Sequence, residues 1–153
     1  MKIKPFVADY LTRLKLILDD IDSDVISEIV GMLESTIVNK SRIYIIGNGG
    51  SSATASHMAN DLGVGLKVRN IVNFNVVSLA DNSPVITAIA NDIGYENIFF
   101  MQMKGLINPN DIVIAISCSG DSPNIIKAAD YAQDLGCKII GITFCFICIN
   151  PNH

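Results

Sequence analysis

Charge is scarce in this chain, and so are histidine and long apolar runs; each shortage narrows what the protein does. Only 17% of the 153 residues are charged, 15 acidic against 11 basic. That balance offers no broad positive field to a phosphate backbone, so direct nucleic-acid binding is not expected. The longest apolar run, Ile139 to Ile149, is too short for a membrane span and is broken by Gly141 and Thr143. Asp9 and Arg13 interrupt any apolar stretch near the beginning, which argues against a signal peptide and leaves the cytoplasm as the expected location. Neither G-x-G-x-x-G nor G-K-[ST] occurs, so the glycine signatures of dinucleotide sites and P-loops are missing. The four cysteines, Cys118, Cys137, Cys145 and Cys148, read as free thiols. Cys145 and Cys148 have C-x-x-C spacing, but they sit in an apolar run with no second pair and only His153 nearby, so redox or zinc chemistry is not expected there. No repeat, low-complexity stretch or linker is visible.

Half of the residues are hydrophobic, and the mean hydropathy of +0.41 suits a parallel sheet whose strands are buried on both faces. The length fits one domain with a real core. Two amphipathic helices are predicted first. One runs from residue 5 to about 19, with Phe6, Tyr10, Leu14 and Ile17 on one face, and the other runs from about Asp24 to Asn39. Such helices ahead of a sheet pack on it or on a neighbouring subunit. Short strands are predicted at Ile43–Ile46, Asn75–Leu79, Asp111–Ile116 and Cys137–Thr143, with helices between them. Asp81 or Ser83 is expected to cap a short helix from Pro84 to Ala90, which Asn91-Asp92-Ile93-Gly94 breaks. Strands alternating with helices imply a parallel sheet with right-handed crossovers, and ligands in such sheets bind beyond the carboxyl ends of the strands.

Two stretches stand at that edge. Ile43 to Ile46 runs into Gly47-Asn48-Gly49-Gly50 and then Ser51 and Ser52, which are candidate N-caps of the helix that follows. The third strand runs into Ser117-Cys118-Ser119-Gly120-Asp121-Ser122, and Pro123 opens the next helix. Either loop alone could be a close-packed turn or an ordinary cap. Together, with free backbone N–H groups at two helix starts and the hydroxyls of Ser117, Ser119 and Ser122, they favour a small phosphorylated ligand held without any lysine. His57 and Asp61, four apart, share a helix face and are either a surface pair, an acid/base pair or two metal ligands. Asn91 and Asp92 could be turn formers or ligand contacts.

The ordered set Gly47-Asn48-Gly49-Gly50-Ser51, His57, Ala90-Asn91-Asp92-x-Gly94 and Ser117 through Asn124 resembles the SIS (sugar isomerase) domain family, and within it the phosphoheptose isomerases. The resemblance covers residues 5 to 143. It implies a three-layer αβα sandwich with a parallel sheet, flavodoxin- or Rossmann-like. The SIS domain would span 1–143, with N-terminal helices over 5–40, an αβ core over 42–143 and an atypical tail over 144–153. The implied activity is interconversion of sedoheptulose 7-phosphate and D-glycero-D-manno-heptose 7-phosphate by a homotetramer, toward lipopolysaccharide heptose or other surface glycans. By position, the resemblance implies that Ser117, Ser119 and Ser122 hold the phosphate. Asn48, Gly49, Gly50 and Ser51 would touch the sugar, with Asn91 and Asp92 beside it. Asp61 would be the base, and His57 a catalytic group that is also, with Asp61, a zinc ligand in an incomplete site.

Two features depart from the family pattern. Asp61 stands where a glutamate is usual, one methylene shorter. After Gly141-Ile142-Thr143 the family continues into a further strand and a long helix carrying a glutamine and an acid histidine, whereas this chain reads Phe144 to His153. The expectation is therefore a sheet lacking its last strand and helix, with the fourth strand an unpaired, aggregation-prone edge and a loose or poorly soluble C-terminal part. A non-catalytic SIS module that binds a sugar phosphate or bridges proteins is the alternative function. A different sugar-phosphate isomerase of the superfamily is a third.

Overall fold

The computed structural model describes residues 2–143 and 147–150. Helix α1 (Ile3–Asp19) is followed by α2 (Ser23–Asn39), whose start is capped by Asp22: its side chain accepts the Asp24 N–H at 2.8 Å. Helix α2 buries Met32, Leu33 and Thr36, whereas no residue of α1 is buried.

The sheet is built from β1 (Ile43–Gly47), β2 (Val76–Ser78), β3 (Ile112–Ser117), β4 (Lys138–Thr143) and β5 (Ile147–Asn150), in the spatial order β2-β1-β3-β4-β5. The first four strands are parallel. Residues of β1 and β3 alternate strictly between faces, as a period of two demands. Ile43, Ile45, Ile112, Ile114 and Ile116 pack with Met32, Leu33 and Ala55 on one face. Tyr44, Ile46, Val113 and Ala115 pack with Phe99, Met103, Ile125 and Ala128 on the other. The sheet is thus a middle layer between two helical layers, as expected for the three-layer fold.

On the second face lie α5 (Ser83–Ile93), a 3-10 turn at Tyr95–Asn97, α6 (Phe100–Met103) and α7 (Pro123–Asp134). On the first, α3 (Gly50–Asn60) continues through a π-helical turn, Asp61–Gly65, into α4 (Leu66–Val68). Gly136, in the left-handed region at φ 88°, stops the chain after α7 as the sequence suggests.

Four local expectations need correction. The cap of α3 is Gly49 (φ 52°, ψ −120°), because the helix already begins at Gly50, and Ser51 and Ser52 lie inside its first turn. The cap of α5 is Asn82, whose Oδ1 accepts the Val85 N–H at 3.3 Å, rather than Asp81 or Ser83. Helix α5 does not end at Ala90. It carries Asn91 and Asp92 in its last turn and stops at Gly94, whose φ of 99° only glycine tolerates easily and where a Cβ would meet the Glu96 carboxylate at 2.6 Å. Fourth, β4 is not an unpaired edge. Strand β5 runs antiparallel to it, with Ile140 opposite Ile149 and Ile142 opposite Ile147, so the tail supplies the backbone partners that β4 was expected to lack. Residues 144–146 and 151–153, and with them Cys145 and His153, lie outside the described residues.

At the amino ends of the strands, buried Asp111 ties two loops together: Oδ1 accepts the Arg42 N–H at 2.7 Å and Oδ2 the Asn108 N–H at 2.8 Å. Burial, and then the Asp111 carboxylate, push the nearby Cys137 thiol up to about 11. Burial also raises the Tyr44 phenol, against the opposing pull of the Arg42 guanidinium. The perturbed groups thus cluster at the end of the sheet opposite the two small-residue loops. Among the described residues, no helix is long and apolar enough to cross a membrane.

Candidate ligand site at the carboxyl edge of the sheet

Strands β1 and β3 are parallel neighbours with Gly47 in register with Ile116, so the loops that leave them start side by side. The chain goes from β1 to β2 on one side and to β3 on the other, which makes the gap between β1 and β3 the topological switch point of the sheet. A cavity of about 480 Å³ opens there, lined by Asn48, Gly50, Ser51, Thr54, Ile116, Ser117, Cys118, Ser119 and Ser122. Six of the expected ligand residues, Asn48, Gly50, Ser51, Ser117, Ser119 and Ser122, are therefore brought together.

Two helix N-termini converge on this space. Gly50 and Ser51 form the first turn of α3, and Ser122 is the cap residue of α7 with Pro123 directly after it. Their partial positive charges favour an anion, and no lysine or arginine lines the cavity. The serine loop holds its own hydroxyls in a useful state. Ser117 Oγ accepts the Gly120 N–H at 3.2 Å, and Ser119 Oγ accepts the Asp121 N–H at 3.2 Å. A hydroxyl whose oxygen is engaged this way keeps its own hydrogen to donate elsewhere. Ser117 Oγ and Ser122 Oγ stand 3.4 Å apart, so the two hydroxyls share one locale. Gly120, at φ 75°, makes the turn that brings Ser122 back beside Ser117.

Glycine is required at Gly47 for a different reason: a Cβ there would lie 2.6 Å from the backbone oxygen of Ser51. Strand and helix approach so closely that only a hydrogen fits between them.

The remaining expected residues stand outside the lining. Gly49 is exposed at the turn before α3. His57 Nε2 donates to Asp61 Oδ2 at 3.2 Å, with both side chains mostly exposed. The pair does form, and its spacing from Thr54 (three and seven residues) puts it on the helix face that runs down from the cavity. Asn91 and Asp92 are exposed and bond each other, Nδ2 to Oδ1 at 2.8 Å, at the end of α5.

The zinc expectation does not fit the donors present. His57 and Asp61 supply two ligands, half of a tetrahedral set, and no group of three or more His, Cys, Asp or Glu residues able to hold a metal occurs among the described residues.

Sequence reasoning overlooked four residues. Thr54 and Cys118 line the cavity; Thr54 is one helical turn beyond Ser51, and Cys118 lies between two serines, so both were legible from spacing. Asn124 and Tyr95 are behind the lining, both bonded to Asn48. Asn124 closes the motif that carries the family resemblance, and that place in the motif was the available signal for it.

A family model described as "SIS domain" matches residues 8–143. The chain is 39% identical over 119 residues to a phosphoheptose isomerase of Helicobacter pylori (strain P12), covering 78% of this chain and 62% of that one. It is 36% identical over 141 residues to a phosphoheptose isomerase of Aliarcobacter butzleri, covering 92% and 73%. Among solved structures, a phosphoheptose isomerase from Francisella tularensis superposes with a TM-score of 0.84 at 27% identity, over 94% of this chain and 76% of that one. One from Neisseria gonorrhoeae does so with a TM-score of 0.81 at 28% identity, over 93% and 75%. The chain spans about 60% of the length of several of the curated relatives it matches.

Proposed function

The chain belongs to the SIS domain family, and from that premise we propose that it binds a sugar phosphate and isomerises it, interconverting sedoheptulose 7-phosphate and D-glycero-D-manno-heptose 7-phosphate. One observation carries this reading: the glycine loop after β1 and the serine loop after β3 line a single cavity at two helix N-termini. An aldose–ketose isomerase must remove the proton alpha to a carbonyl and return it to the adjacent carbon through a cis-enediol, which requires a carboxylate base and an acid for the oxygens. In this assignment the Ser117, Ser119 and Ser122 hydroxyls and the α7 N-terminus hold the phosphate, and Asn48, Gly50 and Ser51 meet the sugar. Gly49, Asn91 and Asp92 stay peripheral. Fixing the phosphate sets the reacting carbons against Asp61, with His57 as its hydrogen-bonded partner. The product would feed surface-glycan heptose synthesis in the cytoplasm.

The test is turnover of sedoheptulose 7-phosphate by the chain, followed by NMR of the substrate carbons. Ser122→Ala and Ser119→Ala are each expected to weaken sugar-phosphate binding by about 10- to 100-fold, the value of one hydrogen bond to a charged group. Equal affinity in both variants would remove the serine loop from the site. The exposure of the His57–Asp61 pair outside the cavity lining favours one second reading, a sugar-phosphate-binding module without turnover. Tight binding with no isomerisation would select it.

We propose further that the chain works as a homo-oligomer, a tetramer by family resemblance. The support is α1, where Phe6 (54%), Tyr10 (60%) and Ile17 (61%) are exposed on one apolar face. A monomer would leave that face in water, contrary to what large exposed patches normally signify. Native mass spectrometry is expected to give a tetramer that Tyr10→Asp together with Ile17→Asp dissociates. A wild-type monomer would refute this.

A further inference from the structure

We propose that Asn124 and Tyr95 are positioning residues that fix the Asn48 carboxamide as a hydrogen-bond donor, and only a donor, toward the ligand. Asn48 is the first residue past β1 and lines the cavity. Its amide pairs reciprocally with that of Asn124, 76 residues away in the first turn of α7: Asn48 Nδ2 donates to Asn124 Oδ1 at 2.9 Å, and Asn124 Nδ2 donates to Asn48 Oδ1 at 2.7 Å. The Tyr95 hydroxyl donates to the same Asn48 oxygen at 3.1 Å.

A carboxamide oxygen has two lone pairs and its nitrogen two hydrogens. Both lone pairs of Asn48 Oδ1 are taken, by Asn124 and Tyr95, so it has none left for a sugar hydroxyl. One Nδ2 hydrogen is taken by Asn124, and the other remains. Asn48 therefore presents an N–H, which suits a ligand carbonyl, alkoxide or phosphate oxygen and rejects a donor such as an ammonium.

Burial makes the arrangement hard to undo. Asn124 is 2% exposed, and a buried amide that loses its partner keeps the full desolvation cost. Tyr95 follows Gly94 at the end of α5, so the connection after β2 also reports to this oxygen. Three sheet-edge segments meet on one side-chain atom, and the glycine loop cannot shift without disturbing the start of α7.

The inference rests on the sugar-phosphate reading of the cavity, and its test separates the two. Calorimetric titration with sedoheptulose 7-phosphate would compare wild type, Asn48→Ala, Asn124→Ala, Tyr95→Phe and the two double variants carrying Asn48→Ala. Asn48→Ala and Asn124→Ala are each expected to weaken binding about tenfold and Tyr95→Phe about threefold, the range for single neutral hydrogen bonds. Neither second change should weaken Asn48→Ala further, because both act through Asn48. Losses that multiply would overturn the proposal, since a merely structural role for Asn124 or Tyr95 does not depend on the Asn48 side chain. Tyr95 is exposed, so Tyr95→Phe keeps the cycle usable if Asn124→Ala fails to fold. If wild type binds no sugar phosphate, the functional reading fails by itself. The side-chain amide resonances of Asn48 in the ligand-free protein then decide the positioning: they are expected to move in Tyr95→Phe, and unchanged resonances would refute it.

Discussion

Asp61→Asn is expected to reduce turnover of sedoheptulose 7-phosphate by about 10²- to 10⁴-fold, the usual contribution of a positioned general base. KM should move only a few-fold, because the phosphate end of the substrate is assigned to the serine loop rather than to α3. The substitution is isosteric, so the contact with His57 Nε2, 3.2 Å from Asp61 Oδ2, can persist through the asparagine oxygen. A loss of kcat would then report removal of the base and not collapse of the helix face. Asp61→Glu gives the complementary result. If the aspartate reaches the reacting carbon from one methylene too short, the longer carboxylate should restore or raise kcat, since a misplacement of about 1 Å costs on the order of a hundredfold. Steady-state kcat and KM for the three proteins, with solvent-deuterium incorporation at the substrate carbons, measure this directly. Unchanged kcat in Asp61→Asn would take Asp61 out of the chemistry.

The second large effect is on stability. Gly47→Ala would place a methyl 2.6 Å from the Ser51 carbonyl oxygen and 2.8 Å from its carbon. Both are backbone atoms, so relief requires shifting the first turn of α3 off the sheet. Overpacking of this sort costs about 1–3 kcal/mol, and a domain of this size loses about 2–4 °C in Tm per kcal/mol. A fall of several degrees is expected, together with weaker sugar-phosphate binding because Ser51 lines the cavity. Gly31→Ala in α2 is the control: an added Cβ there meets nothing within 4 Å, and the helix gains from losing a glycine. Thermal melts of both variants decide the matter. An unchanged Tm in Gly47→Ala would show that the turn is not as tight as the geometry states.

The layers and the sheet edge were legible in the sequence because both depend on local patterns. Apolar strands that run into glycine or serine, followed by a helix with proline or small residues in its first turn, locate β1, β3 and the two loops. Parallel pairing then forces the loops to the same edge. What was not legible depends on distant contacts. Nothing near Asn48 signals that its amide meets Asn124, because the two approach only when β1 and α7 are placed by the sheet. The end of α5 was misjudged because Asn91 and Asp92 have turn-forming character, yet the residue that must break the helix is Gly94, which alone takes φ 99°. The antiparallel β5 was missed because Ile147–Asn150 reads in the sequence as a continuation of the apolar run of β4, and nothing in such a run sets the direction of a strand. The periodicity of α1 was readable, but its partner was not, since no residue of that helix is buried within the chain.

Calorimetric titration of the chain with sedoheptulose 7-phosphate, sedoheptulose and inorganic phosphate decides whether the two loops form one sugar-phosphate site. Saturable binding of the phosphorylated sugar is expected, with weaker binding of inorganic phosphate at the same site and little of the free sugar. No binding of either phosphate, or binding unaffected by Ser122→Ala, would contradict it.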